Sequence, residues 1–139
     1  MFLKNTWYVA ARTDEVEEAP SAHTILGDDV VLFRQEDGRP VALEDACPHK
    51  KLPLSMGRRK GNHIECGYHG MVLDGAGQCV HIPSQTTIPK KARVRAYPLA
   101  EKLGFVWIWM GDATLADESL ILDIDDFDDP AWVVPAATR

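Results

Sequence analysis

Short runs of β-branched and aromatic residues recur along the chain, broken by turns containing Gly and Asp, the pattern of an all-β sandwich or barrel built from hairpins. The runs predict strands at Trp7 to Ala11, His23 to Leu26, Val30 to Arg34, Val41 to Glu44, His63 to Cys66, Met71 to Leu73, Gln78 to His81, Val94 to Pro98 and Phe105 to Met110. Between them, Gly27-Asp28, Asp37-Gly38, Asp74-Gly75-Ala76-Gly77 and Leu103-Gly104 supply residues that tolerate positive φ. In the last run Phe105, Trp107 and Trp109 alternate with Val106, Ile108 and Met110. Both faces are therefore apolar, which places that strand centrally and its tryptophans in the core. After Asp112 the pattern changes: acidic residues mix with Leu and Ile until Asp128-Asp129-Pro130, a sequence suited to a short helical turn and a linker.

A length of 139 residues suits one domain with a real core. The apolar share of 45% and charged share of 26% exclude a disordered or fibrous chain. A net charge of -6 argues against nucleic acid as a partner, and the charge is unevenly spread. Residues 1 to 110 carry 14 Lys/Arg against 13 Asp/Glu, whereas residues 111 to 139 carry one against eight. Asn5 and Thr6 interrupt any apolar signal-peptide core near the N-terminus. The longest apolar run, Phe105 to Met110, falls far short of the ~18 residues of a membrane span. A cytoplasmic protein without membrane contact is expected.

Three cysteines make no disulfide framework, so metal or catalytic use comes first. Cys47-Pro48-His49 and Cys66-Gly67-Tyr68-His69, with sixteen residues between His49 and Cys66, each offer one thiolate and one imidazole from a single loop. Side by side at hairpin ends, Cys47, His49, Cys66 and His69 form a four-ligand set. Two Cys and two His admit a 2Fe-2S cluster in which two imidazoles replace thiolates on one iron. They also admit a tetrahedral structural zinc, or buried Cys and hydrogen-bonded His that merely share a core. Zinc fingers usually take paired Cys from one knuckle and paired His from a helix. One of each from each loop suits two irons lying side by side better.

With Asn5-Thr-Trp-Tyr-Val-Ala10, Glu44-Asp-Ala-Cys-Pro-His49, Leu52-Pro-Leu-Ser55, Ile64-Glu-Cys-Gly-Tyr-His-Gly70, Gly77-Gln-Cys-Val-His-Ile-Pro83 and Gly104-Phe-Val-Trp-Ile-Trp109, the chain resembles the Rieske domain. More narrowly, it resembles the N-terminal domain of Rieske non-haem iron oxygenases of the vanillate O-demethylase type. The resemblance implies an antiparallel β base domain over residues 1 to 110, with an inserted cluster-binding lobe of two hairpin loops at about residues 45 to 83. Residues 111 to 139 would be an acidic linker leading toward a catalytic domain that lies outside this sequence. It further implies that Cys47 and Cys66 bind the inner iron and His49 and His69 the outer one, with Ile82-Pro83 as a shielding proline loop. Lys50-Lys51 stand where family members often carry Arg-Gly, and Met71 where an aromatic is common. Leu52 and Gly67 occupy places near which respiratory Rieske proteins have a further Cys, so the oxygenase or ferredoxin type is favoured.

The implied cofactor is a Rieske 2Fe-2S cluster, and a mononuclear non-haem iron is expected only in the absent catalytic domain. The implied work is one-electron transfer within an oxygenase component that hydroxylates or O-demethylates an aromatic compound; no catalytic residue is expected in this chain itself. Implied partners are a reductase or ferredoxin donor and the catalytic domain of the same or a neighbouring subunit, with a homotrimer in the full-length form. A self-standing Rieske ferredoxin and a zinc-stabilised binding module are the rival readings. With two Fe(III), two sulfides and two thiolates the oxidised cluster is neutral, which places Rieske potentials at ~-150 to +300 mV against ~-400 mV for all-Cys plant-type clusters. The low end is expected here, because Gly70 and Met71 offer no hydroxyl to the sulfurs. Lys50, Lys51, Arg58, Arg59 and Lys60, with Lys90 and Lys91 downstream, form a basic rim that could steer an acidic donor or face the acidic tail. Cys79 reads as a small buried residue, His63 and His81 as structural histidines, and Tyr68 as a packing residue.

Overall fold

The period-two alternation of the strands becomes, in the computed structural model, three antiparallel sheets. The structure describes residues 5–48, 51–67, 70–83 and 86–121. The first sheet has the order β1 (Thr6–Arg12), β11 (Phe105–Met110), β10 (Leu99–Lys102). The second runs β2 (Ser21–Ile25), β3 (Asp28–Arg34), β4 (Pro40–Glu44), β9 (Ala96–Tyr97). The third runs β5 (Arg58–Lys60), β6 (His63–Glu65), β7 (Val72–Leu73), β8 (Cys79–His81). No α-helix occurs among the described residues.

The second sheet is the middle layer, because both of its faces are apolar. Along β3, Val30 and Leu32 join a core with Val106, Ile108 and Met110 of β11, while Val31 and Phe33 join a separate core with Ile64 and Leu73 of the third sheet. On β4, Ala42 belongs to the first of these and Val41 and Leu43 to the second. Successive side chains point to opposite faces, so one buried strand serves two cores. Fully burying side chains of this size stabilises by ~1.5–3 kcal/mol each. The double-faced run at Phe105–Met110 is indeed the central strand of its sheet, paired on both sides. Its outward face packs Trp109 edge-on to Trp7, with ring centroids 5.4 Å apart.

Two hairpins close on Leu-Gly pairs in the left-handed region: Leu26-Gly27 at φ 51 and 84, and Leu103-Gly104 at φ 59 and 80. These are the backbone angles a tight two-residue loop needs to match strand twist. Two strands escape the sequence pattern. Arg58–Lys60 is an all-basic edge strand with no apolar alternation. Of the run predicted at Val94 to Pro98 only Ala96–Tyr97 forms a strand, and the second strand outside the pattern, Leu99–Lys102, begins just after Pro98. There the chain leaves the second sheet and continues as Leu99–Lys102 in the first, with Pro98 accepting a bond from the Trp109 N–H at 3.0 Å. Proline lacks the N–H a ladder needs, so the corner falls at that residue.

The described part of the tail is docked on the first sheet. Asp112 and Asp117 cap two 3₁₀ turns, Ala113–Leu115 and Glu118–Leu120. The indole N–H of Trp7 donates to the Asp117 carbonyl at 2.8 Å and that of Trp109 to the Asp112 carbonyl at 2.7 Å. Ile121 completes the tryptophan cluster. Residues 122 to 139, the rest of the expected acidic linker, lie outside the described residues.

Candidate metal centre

The two cysteine motifs form the same turn twice. In the first loop the Cys47 N–H donates to the Leu52 carbonyl at 2.7 Å and the Lys51 N–H to the Cys47 carbonyl at 2.8 Å. In the second the Cys66 N–H donates to the Met71 carbonyl at 2.7 Å and the Gly70 N–H to the Cys66 carbonyl at 3.1 Å. The residue four places after each cysteine is left-handed, Lys51 at φ 61 and Gly70 at φ 74. Glycine takes this conformation without steric cost and lysine does not.

Tight contact holds the loops together. Cys47 and Cys66 are buried to 4% and 3% exposure and belong to one core with Leu54, Ile64 and Leu73. The Cys47 Sγ points across to Met71 Sδ of the other loop, 3.8 Å away. No disulfide engages any of the three cysteines. The end of the first loop lies backbone against backbone on the second: a Cβ on Gly57 would fall 1.9 Å from the Glu65 carbonyl oxygen and 3.1 Å from the Gly67 nitrogen. A carboxylate also closes the first loop on itself, since Asp45 accepts the Ser55 N–H at 2.7 Å and its hydroxyl at 2.6 Å. Ile82 packs on the core, and Pro83 Cγ lies 3.3 Å from where a Gly70 Cβ would stand, putting that segment beside the second loop.

His49 and His69 lie outside the described residues, as do Lys50 and Tyr68. The structure therefore brings Cys47 and Cys66 together and leaves the two imidazole positions as expectations from sequence. The donor chemistry fits an iron-sulfur group: two thiols, soft ligands once deprotonated, belong to one buried apolar cluster. A cavity of about 220 Å³ lined by Leu52, Pro53, Met56, Cys66 and Gly67 adjoins the second of them. Among the described residues, Cys47 and Cys66 are those that could hold such a group.

Of the other candidates, Cys79 and His23 take structural roles. Cys79 is buried, its Sγ 3.5 Å from the His81 carbonyl, and burial pushes its thiol pKa up. His23 shares a 2.9 Å hydrogen bond with Ser21 Oγ, and burial lowers its pKa. The Nδ1 of His63 is buried without a partner, and His81 is exposed. The basic rim is partly engaged by local acids. Arg58 Nε donates to Glu65 Oε1 at 2.7 Å, Lys60 Nζ lies 3.6 Å from Glu65 Oε2, and Arg59 pairs with Glu18 at 3.3 Å. The Arg58 bond holds the Glu65 carboxyl below the usual carboxylate range. Lys51, Lys90 and Lys91 are exposed. Sequence reasoning gave no role to Asp45, Ser55, Gly57 or Glu65; each acts through a contact set by the fold rather than through local spacing.

Residues 6–98 match the Rieske [2Fe-2S] domain family. The chain is 49% identical over 123 residues to a putative toluene-4-sulfonate monooxygenase system iron-sulfur subunit of Comamonas testosteroni, covering 88% of this chain and 36% of that protein. It is 38% identical to a vanillate O-demethylase oxygenase subunit of a Pseudomonas species, covering 95% of this chain and 37% of that one. The crystal structure of apo dicamba monooxygenase superposes with a TM-score of 0.87 at 45% identity, covering 94% of this chain and 41% of that chain. The chain thus spans between a third and a half of the length of these relatives. No helix of the described residues is long and apolar enough to cross a membrane.

Proposed function

The chain belongs to the Rieske [2Fe-2S] domain family, and from that premise we propose that it is the electron-transfer domain of the oxygenase component of an aromatic monooxygenase or O-demethylase. Cys47 and Cys66 would hold the inner iron of the cluster, and His49 and His69 the outer. The observation that carries this reading is the repeated turn, which brings Cys47 and Cys66 into a single buried core from separate loops. When bound, the cluster supplies one-electron redox chemistry at a potential set by its mixed ligands.

The chain's own residues do the rest. The apolar wall of Leu54, Ile64 and Leu73 keeps water from the thiolate side. The left-handed residues Lys51 and Gly70 turn each loop back on its cysteine. Pro83 and Ile82 cover the second loop. At the rim, Met56 is 78% exposed and lines one cavity with Arg58, and Lys51 and Lys60 are exposed on the flanking segments. Such a surface suits an acidic iron-sulfur donor, either a ferredoxin or the iron-sulfur domain of a reductase, and would speed its encounter at low salt. The acceptor would be a mononuclear iron in a catalytic domain of the same or a neighbouring subunit, in a cytoplasmic homotrimer of the full-length protein.

Iron and acid-labile sulfide analysis of the purified chain, with an EPR spectrum of the reduced protein, tests the assignment. Two irons and two sulfides per chain with a Rieske-type signal are expected, and Cys47→Ser or Cys66→Ser should abolish both. Stoichiometric zinc in a colourless protein would refute it.

A further inference from the structure

Glu65 ends β6 immediately before Cys66, directly opposite Arg58 in the β5–β6 ladder. An ordinary cross-strand pair would need one base, and its role would stop at the hairpin. Here two bases attend one acid, and they are arranged unequally. The Glu65 side chain is 17% exposed, whereas Arg58 is 75% and Lys60 59% exposed. The carboxylate is thus the inner charge and the cations the outer ones. The carboxylate lies beside the second cysteine loop, its Oε2 4.0 Å from where a Gly70 Cβ would stand. A cavity of about 450 Å³ lies along the same loop, lined by Met56, Gly57, Arg58, Glu65, Cys66, Gly67 and Gly70. Among those residues Glu65 is the one acid, and it shares the cavity with the thiol-bearing residue.

We propose that Glu65, with Arg58 and Lys60 as its counter-ions, sets how readily the centre at Cys66 accepts an electron. The proposal rests on the ligand assignment above. A fixed anion beside a redox centre opposes the arrival of an electron, and cations that compensate the anion restore the affinity. Removing the acid and removing its base should therefore move the potential in opposite directions. A purely structural hairpin pair would move it in the same direction or not at all.

The test is protein-film voltammetry on the cluster-loaded chain, in which the electrode delivers one electron and one ferric ion becomes ferrous. Glu65→Gln, which keeps the shape and can still accept the Arg58 N–H, should shift the midpoint upward. Arg58→Gln should shift it downward, Arg58→Lys should leave it near that of the unsubstituted chain, and the Glu65→Gln/Arg58→Gln double variant should fall between the two single shifts. Shifts of the same sign, or no shift, for Glu65→Gln and Arg58→Gln with a normal EPR spectrum would overturn the proposal while leaving the ligand assignment standing. If Glu65→Gln fails to load a cluster, a lower midpoint for Arg58→Gln than for Arg58→Lys supports the proposal and equal midpoints refute it. Absence of a Rieske signal from the unsubstituted chain would instead refute the ligand assignment, and this inference with it.

Discussion

Gly57→Ala tests whether the two cysteine loops are held at a fixed separation by direct backbone contact. The added methyl carbon would lie 1.9 Å from the Glu65 carbonyl oxygen, 3.0 Å from its carbon and 3.1 Å from the Gly67 nitrogen, all main-chain atoms. Non-bonded carbon contacts settle near ~3.5–4.0 Å, so relief requires the loops to part by more than about 1 Å. No side chain can rotate away in their place. Overpacking costs typically ~1–3 kcal/mol, and the rigid neighbours put this case at about 3 kcal/mol. Against a total stability of ~5–15 kcal/mol the domain still folds, with its melting temperature lowered by about 10 °C. The metal centre should suffer more than the fold, because ligand distances tolerate only ~0.2 Å and the displaced segment runs straight into Cys66. The assay pairs thermal unfolding by circular dichroism with iron content and visible absorbance per chain. Gly38→Ala is the control. A Cβ there meets nothing within 4 Å, yet φ is +87, so backbone strain lowers stability far from the loops and the cluster should remain. Full iron occupancy in Gly57→Ala, or equal iron loss in both variants, would refute the reasoning.

Three further outcomes are expected. Lys51→Gly should stabilise the folded chain by about 0.5–1 kcal/mol, since relief of a left-handed residue at ~1–2 kcal/mol exceeds the ~0.4–1 kcal/mol that glycine's freer unfolded state costs; a lower urea midpoint than that of the unsubstituted chain would contradict it. Arg34 donates to the carbonyls of Thr13, Val16 and Gly38 and pairs with Glu101 at 2.7 Å. Arg34→Lys should lose about 2 kcal/mol of stability, because an ammonium cannot reproduce the fork; an unchanged urea midpoint would show the hub to be dispensable. Burial, with Asp28 close by, pushes the Tyr97 phenol from 10.0 to about 12, so the folded state holds its proton more tightly than the unfolded one. That contribution is complete below pH 10 and is lost as pH rises through about 12. Tyr97→Phe should flatten the decline in urea midpoint across that window, and an identical decline in both proteins would refute the assignment.

What the sequence disclosed and what it withheld divide along the range of the interaction concerned. Alternation along Phe105–Met110 is a local property of the chain, and it was enough to place that strand at the centre of its sheet, because a run with two apolar faces has nowhere else to bury both. The spacing of Cys47 and Cys66 within their motifs was likewise readable, since each turn is closed by hydrogen bonds spanning four or five residues. Gly57 and Glu65 were not readable: their significance arises only when β5 and β6 pair and carry one loop against the other. The strand Leu99–Lys102 belongs with them. Pro98 made the end of the preceding run legible, but that the chain goes on as a strand of a different sheet depended on the distant partner β11. Residues proposed to bond the metal can thus be named from short-range pattern. Those that fix the distance between the two loops and the charge around them become visible only in the folded chain, and there a substitution can empty the centre without touching a ligand.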